Sequence, residues 1–359
     1  LKERIAVYAT AVLWGECDVA EIEEPTEDMS VYEASRKAID AECQTIGEEL
    51  AKSHDLLDEH IDLLKDSGQN RIGQVGRGLA IATSTPQEHW EYIRSKVADS
   101  VANGQADFVS LALGYVGGLK GRNPSLVDDI LDVVLSDPGL CRYVVSFQSV
   151  VGVDEKGLDR LIAAAQSNDV PAKCFKRLAW GGTNNVLSSE QFRALWVAVH
   201  AMEDSHDTAL ELLYMRCHSV NKDGHPELGN GEIRCAETLI EGLDQFVLNN
   251  HEGRRIAEII QACLDPQRHE ILVRECLRKL KEKLSSYEVS SYDCAQFVAP
   301  LTQKFPRVVL EELLESAKED VDLDEHMVFV ATRPVSSLVP PFFGIPKDIL
   351  FGWVDEAPQ

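Results

Sequence analysis

The chain has 359 residues, 44% apolar, 26% charged and only 7% aromatic, with 35 basic against 60 acidic side chains and a net charge of −25. That length is enough for a sizeable core and more than one cooperative unit, and 23 glycines with 14 prolines are too few for a low-complexity chain. The charge disfavours broad binding to nucleic acid or an anionic membrane, no apolar run reaches the roughly 18 residues of a membrane span, and no basic start precedes an apolar stretch as in a signal peptide.

Residues 1–66 carry 18 acidic against 6 basic side chains, about half of the net charge. They are expected to form an acidic helical segment, with Glu21–Asp28 as a solvated loop between two helices. Gly68 to Gly78 marks the change into a zone where helical period dominates, running to about Lys318 and assigned as 67–320. Trp90, Ile93, Val97 and Val101 open it, followed by Phe108, Leu111, Tyr115, Val116 and Leu119. Leu126, Val127, Ile130, Leu131 and Val134 come next, then Leu158, Leu161, Ile162 and Ala165. Phe192, Leu195, Trp196 and Val199, then Ala209, Leu210 and Leu213, continue the pattern. Strand-type alternation is confined to Met327–Ala331. Residues 321–359, with Pro334, Pro340, Pro341 and Pro346, read as an irregular tail closed by a short capping helix over Ile349–Val354. The fold class is all-α.

Start signals agree with these periods. Thr85-Pro-Gln-Glu88 has the form of a capping box with Pro at the first helical position, and Ser188 with Gln191 has it again. Asn123-Pro124 and Asp265-Pro266 pair a capping oxygen with a residue that lacks the N–H anyway. First helices of successive pairs are placed near residues 86, 124, 154 and 188, spacings of 38, 30 and 34. Pairs recurring at that interval predict an α-solenoid of stacked antiparallel helix pairs of HEAT or tetratricopeptide type.

The nine cysteines include no C-x-x-C pair and mostly sit inside apolar stripes, so reduced core thiols in a cytoplasmic protein are expected. Gly73-Gln-Val-Gly76-Arg-Gly78 lacks the order of a dinucleotide loop, and with Gly114, Gly117, Gly118 and Gly121 it reads as close packing of helices. No phosphate-binding G-x-x-x-x-G-K-[ST] loop is present, so no nucleotide binding or hydrolysis is expected, and no cofactor. His200, His206, His218 and His225 cluster with Glu203, Asp204 and Cys217 but show no metal-ligand spacing. Asn221–Glu227 lacks the alternating ligands of a calcium loop and reads as a long inter-helix loop. One region departs from the acidity: Arg274, Arg278 and Lys281 fall at i, i+4 and i+7 on one helix face. They are the candidate partner-binding residues, set to hold residues 1–66 or an acidic partner surface.

Gly78-Leu-Ala, Pro86, Trp90 and Asn123-Pro-Ser-Leu-Val-Asp-Asp-Ile-Leu-Asp resemble HEAT-like units of bacterial STAND-class NTPases. Val170-Pro-Ala-Lys-Cys-Phe-Lys-Arg-Leu-Ala-Trp180-Gly181 and Leu187-Ser-Ser-Glu-Gln-Phe-Arg-Ala-Leu share the likeness, which covers roughly 68–359. Pro346, Leu350 and Trp353 resemble the P-x-x-x-L-x-x-W ending of the same proteins. The resemblance implies the sensor arm of a defence ATPase, with a NACHT-like core and effector upstream of Leu1, oligomerisation through those domains, and a phage or other foreign protein as partner. The alternatives are a constitutive scaffold subunit, and an enzyme domain whose site gathers His200, His206, Glu203 or Asp204.

Overall fold

The apolar stripes become helices because residues three and four apart share a face, and burying that face is what keeps so short a helix formed. The computed structural model describes residues 1–6, 31–65, 71–167, 169–180, 183–220, 228–243, 250–313, 330 and 341–356. The Glu21–Asp28 loop, the Asn221–Glu227 loop, most of Met327–Ala331, and Cys17, Gly181 and His225 lie outside them. No strand occurs among the described residues.

The chain divides into two compact units, Leu1–Cys174 and Phe175–Gln359. The first holds α1 (Lys2–Arg4), α2 (Val31–Leu50), α3 (His54–His60), α4 (Ile72–Ala82), α5 (Pro86–Ala102), α6 (Val109–Leu119), α7 (Pro124–Ser136), α8 (Val144–Val151) and α9 (Glu155–Gln166). The second holds α10 (Ser189–His200), α11 (His206–Val220), α12 (Asn230–Glu241), α13 (Asn250–Cys263), α14 (Glu270–Ser285), α15 (Ser291–Lys304), α16 (Pro306–Leu313) and α17 (Lys347–Glu356). A short 3₁₀ turn, Pro341–Gly344, precedes α17.

Within each unit the most extensive helix packing is between a helix and the next but one. In the first unit α2, α4, α6 and α8 form one layer, and α7 and α9 pair in the other. In the second, α10, α12, α14, α16 and α17 form one layer, and α11, α13, α15 and Pro341–Gly344 the other. This two-layer stacking is the all-α helical-repeat arrangement of an α-solenoid. Of the helices described in the acidic 1–66 segment, α2 belongs to it, packed on α4.

Caps set several starts. Asn123 Oδ1 accepts from Leu126 N at 3.3 Å, and Asp154 Oδ1 from Gly157 N at 2.8 Å. Ser188 Oγ accepts from Gln191 N at 3.3 Å while Gln191 Oε1 accepts from Ser188 N at 3.0 Å, a complete capping box. Two expected caps differ. Thr85 makes no side-chain cap; its hydroxyl instead lies 3.3 Å from His89 Nδ1, drawn away by the ring one turn on. Asp265 accepts from Gln267 N and Arg268 N, so it closes a turn ahead of α14 rather than the helix itself.

Glycines bring three helices of the first unit into backbone contact. A Cβ at Gly78 would collide with Gln44 O, one at Gly47 with Val75 O, one at Gly76 with Leu111 O, and one at Gly114 with Gly73 O. This is the close packing expected of Gly76, Gly78 and Gly114, and Gly118 joins them, since a Cβ there would come within 2.8 Å of Ala80 Cβ. Gly117 and Gly121 take no part, since a Cβ at Gly117 meets nothing nearer than 3.8 Å and one at Gly121 nothing within 4 Å.

The second unit has one such approach, where a Cβ at Gly231 would collide with Ser189 O, and otherwise fills the interval with side chains. Arg216 of α11 and Glu232 of α12 form a fully buried ion pair at 3.0 Å. Arg216 also donates to Leu187 O at 2.8 Å, and Glu232 accepts from Gly229 N at 2.9 Å and from the Ser189 hydroxyl. Cys217 and Cys263 bring α11 and α13 together with their sulfurs 3.5 Å apart. Seven of the eight described cysteines are buried, and burial pushes the Cys276 and Cys294 thiols up to about 12.

Candidate recognition surface

Helix α14 buries Val273, Cys276, Leu277, Leu280 and Leu284. Its period then turns Ile271, Arg274, Arg278 and Lys281 to the opposite side. Ile271 is 75% exposed, and Lys281 is half-buried at the far end of the stripe.

Acidic side chains one repeat further along meet this stripe. Arg274 reaches Glu270 at 2.8 Å, Glu311 at 2.5 Å and Glu312 at 3.0 Å, and Arg278 reaches Glu312 at 3.0 Å. Arg307 continues the chain of charges to Glu311 at 2.7 Å and to Glu356 of α17 at 2.6 Å. Burial works against the charge on Arg274, but its carboxylate partners outweigh that and hold its pKa above the ordinary range. Burial likewise opposes ionisation of Glu311 and Glu312, and their arginine partners still pull both below the usual carboxylate range. The described carboxylate partners of Arg274 and Arg278 are thus Glu270 of the same helix and Glu311 and Glu312 of α16, and not the expected residues 1–66. A bound protein would compete with these pairs or contact Ile271, one turn before Arg274 on the same side.

The histidine group is arranged by aromatic stacking. His200 lies 4.7 Å from Trp196, nearly parallel, and His206 meets His200 edge-on at 5.8 Å. Burial lowers the His200 pKa, and the neighbouring His206 adds to it. Glu203 and Asp204 are exposed in the turn between α10 and α11, with Asp204 in the left-handed region, and His218 stacks on Tyr214 at 6.0 Å. Among the described residues no group of three or more His, Cys, Asp or Glu is placed to hold a metal ion. No helix among them is long and apolar enough to cross a membrane.

A second histidine cluster lies in the first unit, and the linear sequence does not announce it. His54 of α3 stacks on His89 of α5 at 4.1 Å, and His89 Nδ1 is 2.8 Å from the Thr83 hydroxyl. Tyr92 donates to Asp58 beside them, with Lys96 over the Tyr92 ring at 5.1 Å. Burial first, then the neighbouring His54, lowers the His89 pKa, against the backbone of Thr85 and the charge of Glu88. Its Nε2 is buried with no hydrogen-bond partner, so a neutral ring protonated on Nδ1 fits the site. The usable signal was weak: two histidines that only a repeat register brings together.

The buried Arg216–Glu232 pair also escaped sequence reasoning, because both residue types are normally surface residues. Its one local sign is Glu232 standing three residues after Gly229, where a carboxylate reaches back to the backbone N–H at the start of α12. Chemically, the described surface offers charge, hydrogen bonds and isolated apolar side chains, the means of binding a macromolecule. Compared with known proteins, the chain matches no family model, no curated sequence and no solved structure.

Proposed function

We propose that this chain is a protein-recognition module, the sensor part of a STAND-type ATPase that binds a foreign protein such as a phage protein and relays its presence. The observation that carries this is Ile271, 75% exposed on a repeat helix, one turn before Arg274 and two before Arg278 on the side where these arginines pair with Glu311 and Glu312. An exposed apolar side chain beside paired arginines combines two features of a binding hot spot, and stacked helix pairs supply further surface for a partner. Arginine is enriched at such interfaces, and complementary charge sets register and association rate more than affinity. The resemblance of the repeats and of the Pro346–Trp353 ending to STAND proteins supplies the foreign partner.

A photo-crosslinking residue in place of Ile271 tests the proposal in cells before and after phage infection. A protein adduct formed only in infected cells supports a sensor. The same adduct in uninfected cells overturns it in favour of a constitutive scaffold, and no protein adduct in either removes this face from recognition.

A further inference from the structure

The C-terminal helix α17 carries apolar residues on both of its faces, and among the described residues one of these faces meets the rest of the unit. Ile349, Leu350 and Trp353 are half-buried, and Glu356, on the same side, is tied to Arg307 of α16. On the other side Phe351 is 63% and Val354 54% exposed, and Phe343, in the turn just before the helix, is 77% exposed. Lys347 and Asp355 are exposed at the two ends of this outer stripe, one turn before and one turn after Phe351.

We propose that the occupant of this stripe is a second copy of the chain, bound as an antiparallel pair of α17 helices about a twofold axis beside Phe351. The stripe is self-complementary. Phe351 stands at the middle of Lys347–Glu356, so antiparallel pairing sets it against itself. The same pairing sets Lys347 of each copy beside Asp355 of the other, and Val354 beside the helix start that follows Phe343. Within a single copy these end charges are adverse: a cation stands where the helix dipole is positive, and two carboxylates stand where it is negative. Asp348 offsets part of this at the start, about 100° around the helix from Lys347. Antiparallel pairing places each positive end against a negative one, so the charge pattern that a lone helix disfavours becomes an attraction. A two-fold contact of this kind is isologous and closes at two copies. The helix is only about 15 Å long, so the buried area lies below the roughly 1,200 Å² of a standard interface, and the dimer is weak and concentration-dependent.

Sedimentation velocity on the full chain, from low-micromolar to several hundred micromolar, reads the association directly. Lys347→Asp sets like charges against each other and is expected to weaken it about tenfold, and Phe351→Glu more than that. Adding Asp355→Lys to Lys347→Asp restores opposite charges across the pair and should return the association to near the wild-type value. Lys347 and Asp355 are eight residues apart on one helix and out of mutual reach, so contact between copies explains that recovery. All three residues are exposed, so the helical circular dichroism should be unchanged and the melting point unchanged or slightly raised by the charge reversals, which serves as the folding control. A chain that stays monomeric throughout, a dimer indifferent to these variants, or a loss that the double charge exchange does not repair overturns the proposal. The first of these results would assign the stripe to a different protein.

Discussion

The two units stack their helices alike and hold them together by different means. Between α2, α4 and α6 the backbones themselves meet, because Gly47, Gly76, Gly78 and Gly114 leave no side chain in the way. Between α10, α11 and α12 one glycine, Gly231, lets α12 meet the Ser189 backbone, and the rest of the space is occupied by Arg216, Glu232, Ser189 and Phe192, with the Arg216 guanidinium 5.4 Å above the Phe192 ring. A glycine seam gains close dispersion contacts and loses helix propensity, whereas a buried ion pair carries a desolvation cost that only complete hydrogen bonding offsets. What a repeat requires at these positions is a filled interval, and the chemistry that fills it is free to change from one unit to the next.

The largest expected effect breaks the first unit alone. Gly114→Val would drive a branched side chain into the backbone at Gly73, which is itself helical and cannot yield, and more than about 4 kcal/mol should be lost. Gly117→Ala, in open contact on the same helix, should be neutral or gain up to about 1 kcal/mol from helix propensity. Hydrogen exchange resolved by peptide should show protection lost over 72–119 and kept over 189–313. Equal loss in both would mean that the units do not differ in the way described.

Next comes the pair in the second unit. Arg216→Met leaves Glu232 charged, buried and without its cation, at a cost of about 3 kcal/mol or more in chemical unfolding. Arg216→Met with Glu232→Gln should cost clearly less than the two single changes summed, because the surviving partner no longer carries a charge. An additive result would show the pair to be weaker than its burial indicates.

Acidification touches both units through one residue each. His89 and His200 have native pKa values depressed below the ordinary 6.5, burial being the main cause. The neutral rings suit the folded state, so this contribution is complete above pH 6.5 and is lost as pH falls below it, when the unfolded chain takes up protons first. The melting point should drop by a few degrees between pH 7.5 and pH 5.5. His200→Phe should flatten that dependence in the second unit and leave it in the first. Glu311 and Glu312, depressed by their arginines, act only at lower pH, because their ordinary value is 4.5. The smallest effect is expected of Arg278→Ala, whose side chain is mostly exposed, and its melting point should match the wild type within error.

Much of this arrangement could be read from the chain. Apolar period, Asn123, and the Ser188–Gln191 box placed helices correctly, and the glycines at 76, 78, 114 and 118 announced close approach, because each is a local rule. Thr85 and Asp265 misled because a nearby ring and a competing turn claimed their oxygens. Arg274 and Arg278 stood out as an unusual positive stripe, but their partners Glu311 and Glu312 lie 34 to 38 residues away, an interval that depends on the exact length of every intervening helix and loop. The same holds for His54 with His89 and Arg216 with Glu232. Helix faces follow from local period, but partners across repeats follow from register, and the degenerate repeats give no fixed register to count along.

The next-but-one packing also governs how the protein is made. Each helix finds its principal neighbours within the following repeat; even the ion pair from Arg307 to Glu356 spans only 49 residues. On the ribosome, α2 can dock as soon as α4 has left the exit tunnel, and α4 as soon as α6 has, with no wait for a distant strand or terminus. Synthesis at about 5–20 residues per second delivers a new repeat every few seconds, far longer than helix formation and docking need. Each newly released apolar face is therefore covered by its successor almost as it appears, which keeps the nascent chain from offering that surface to other proteins.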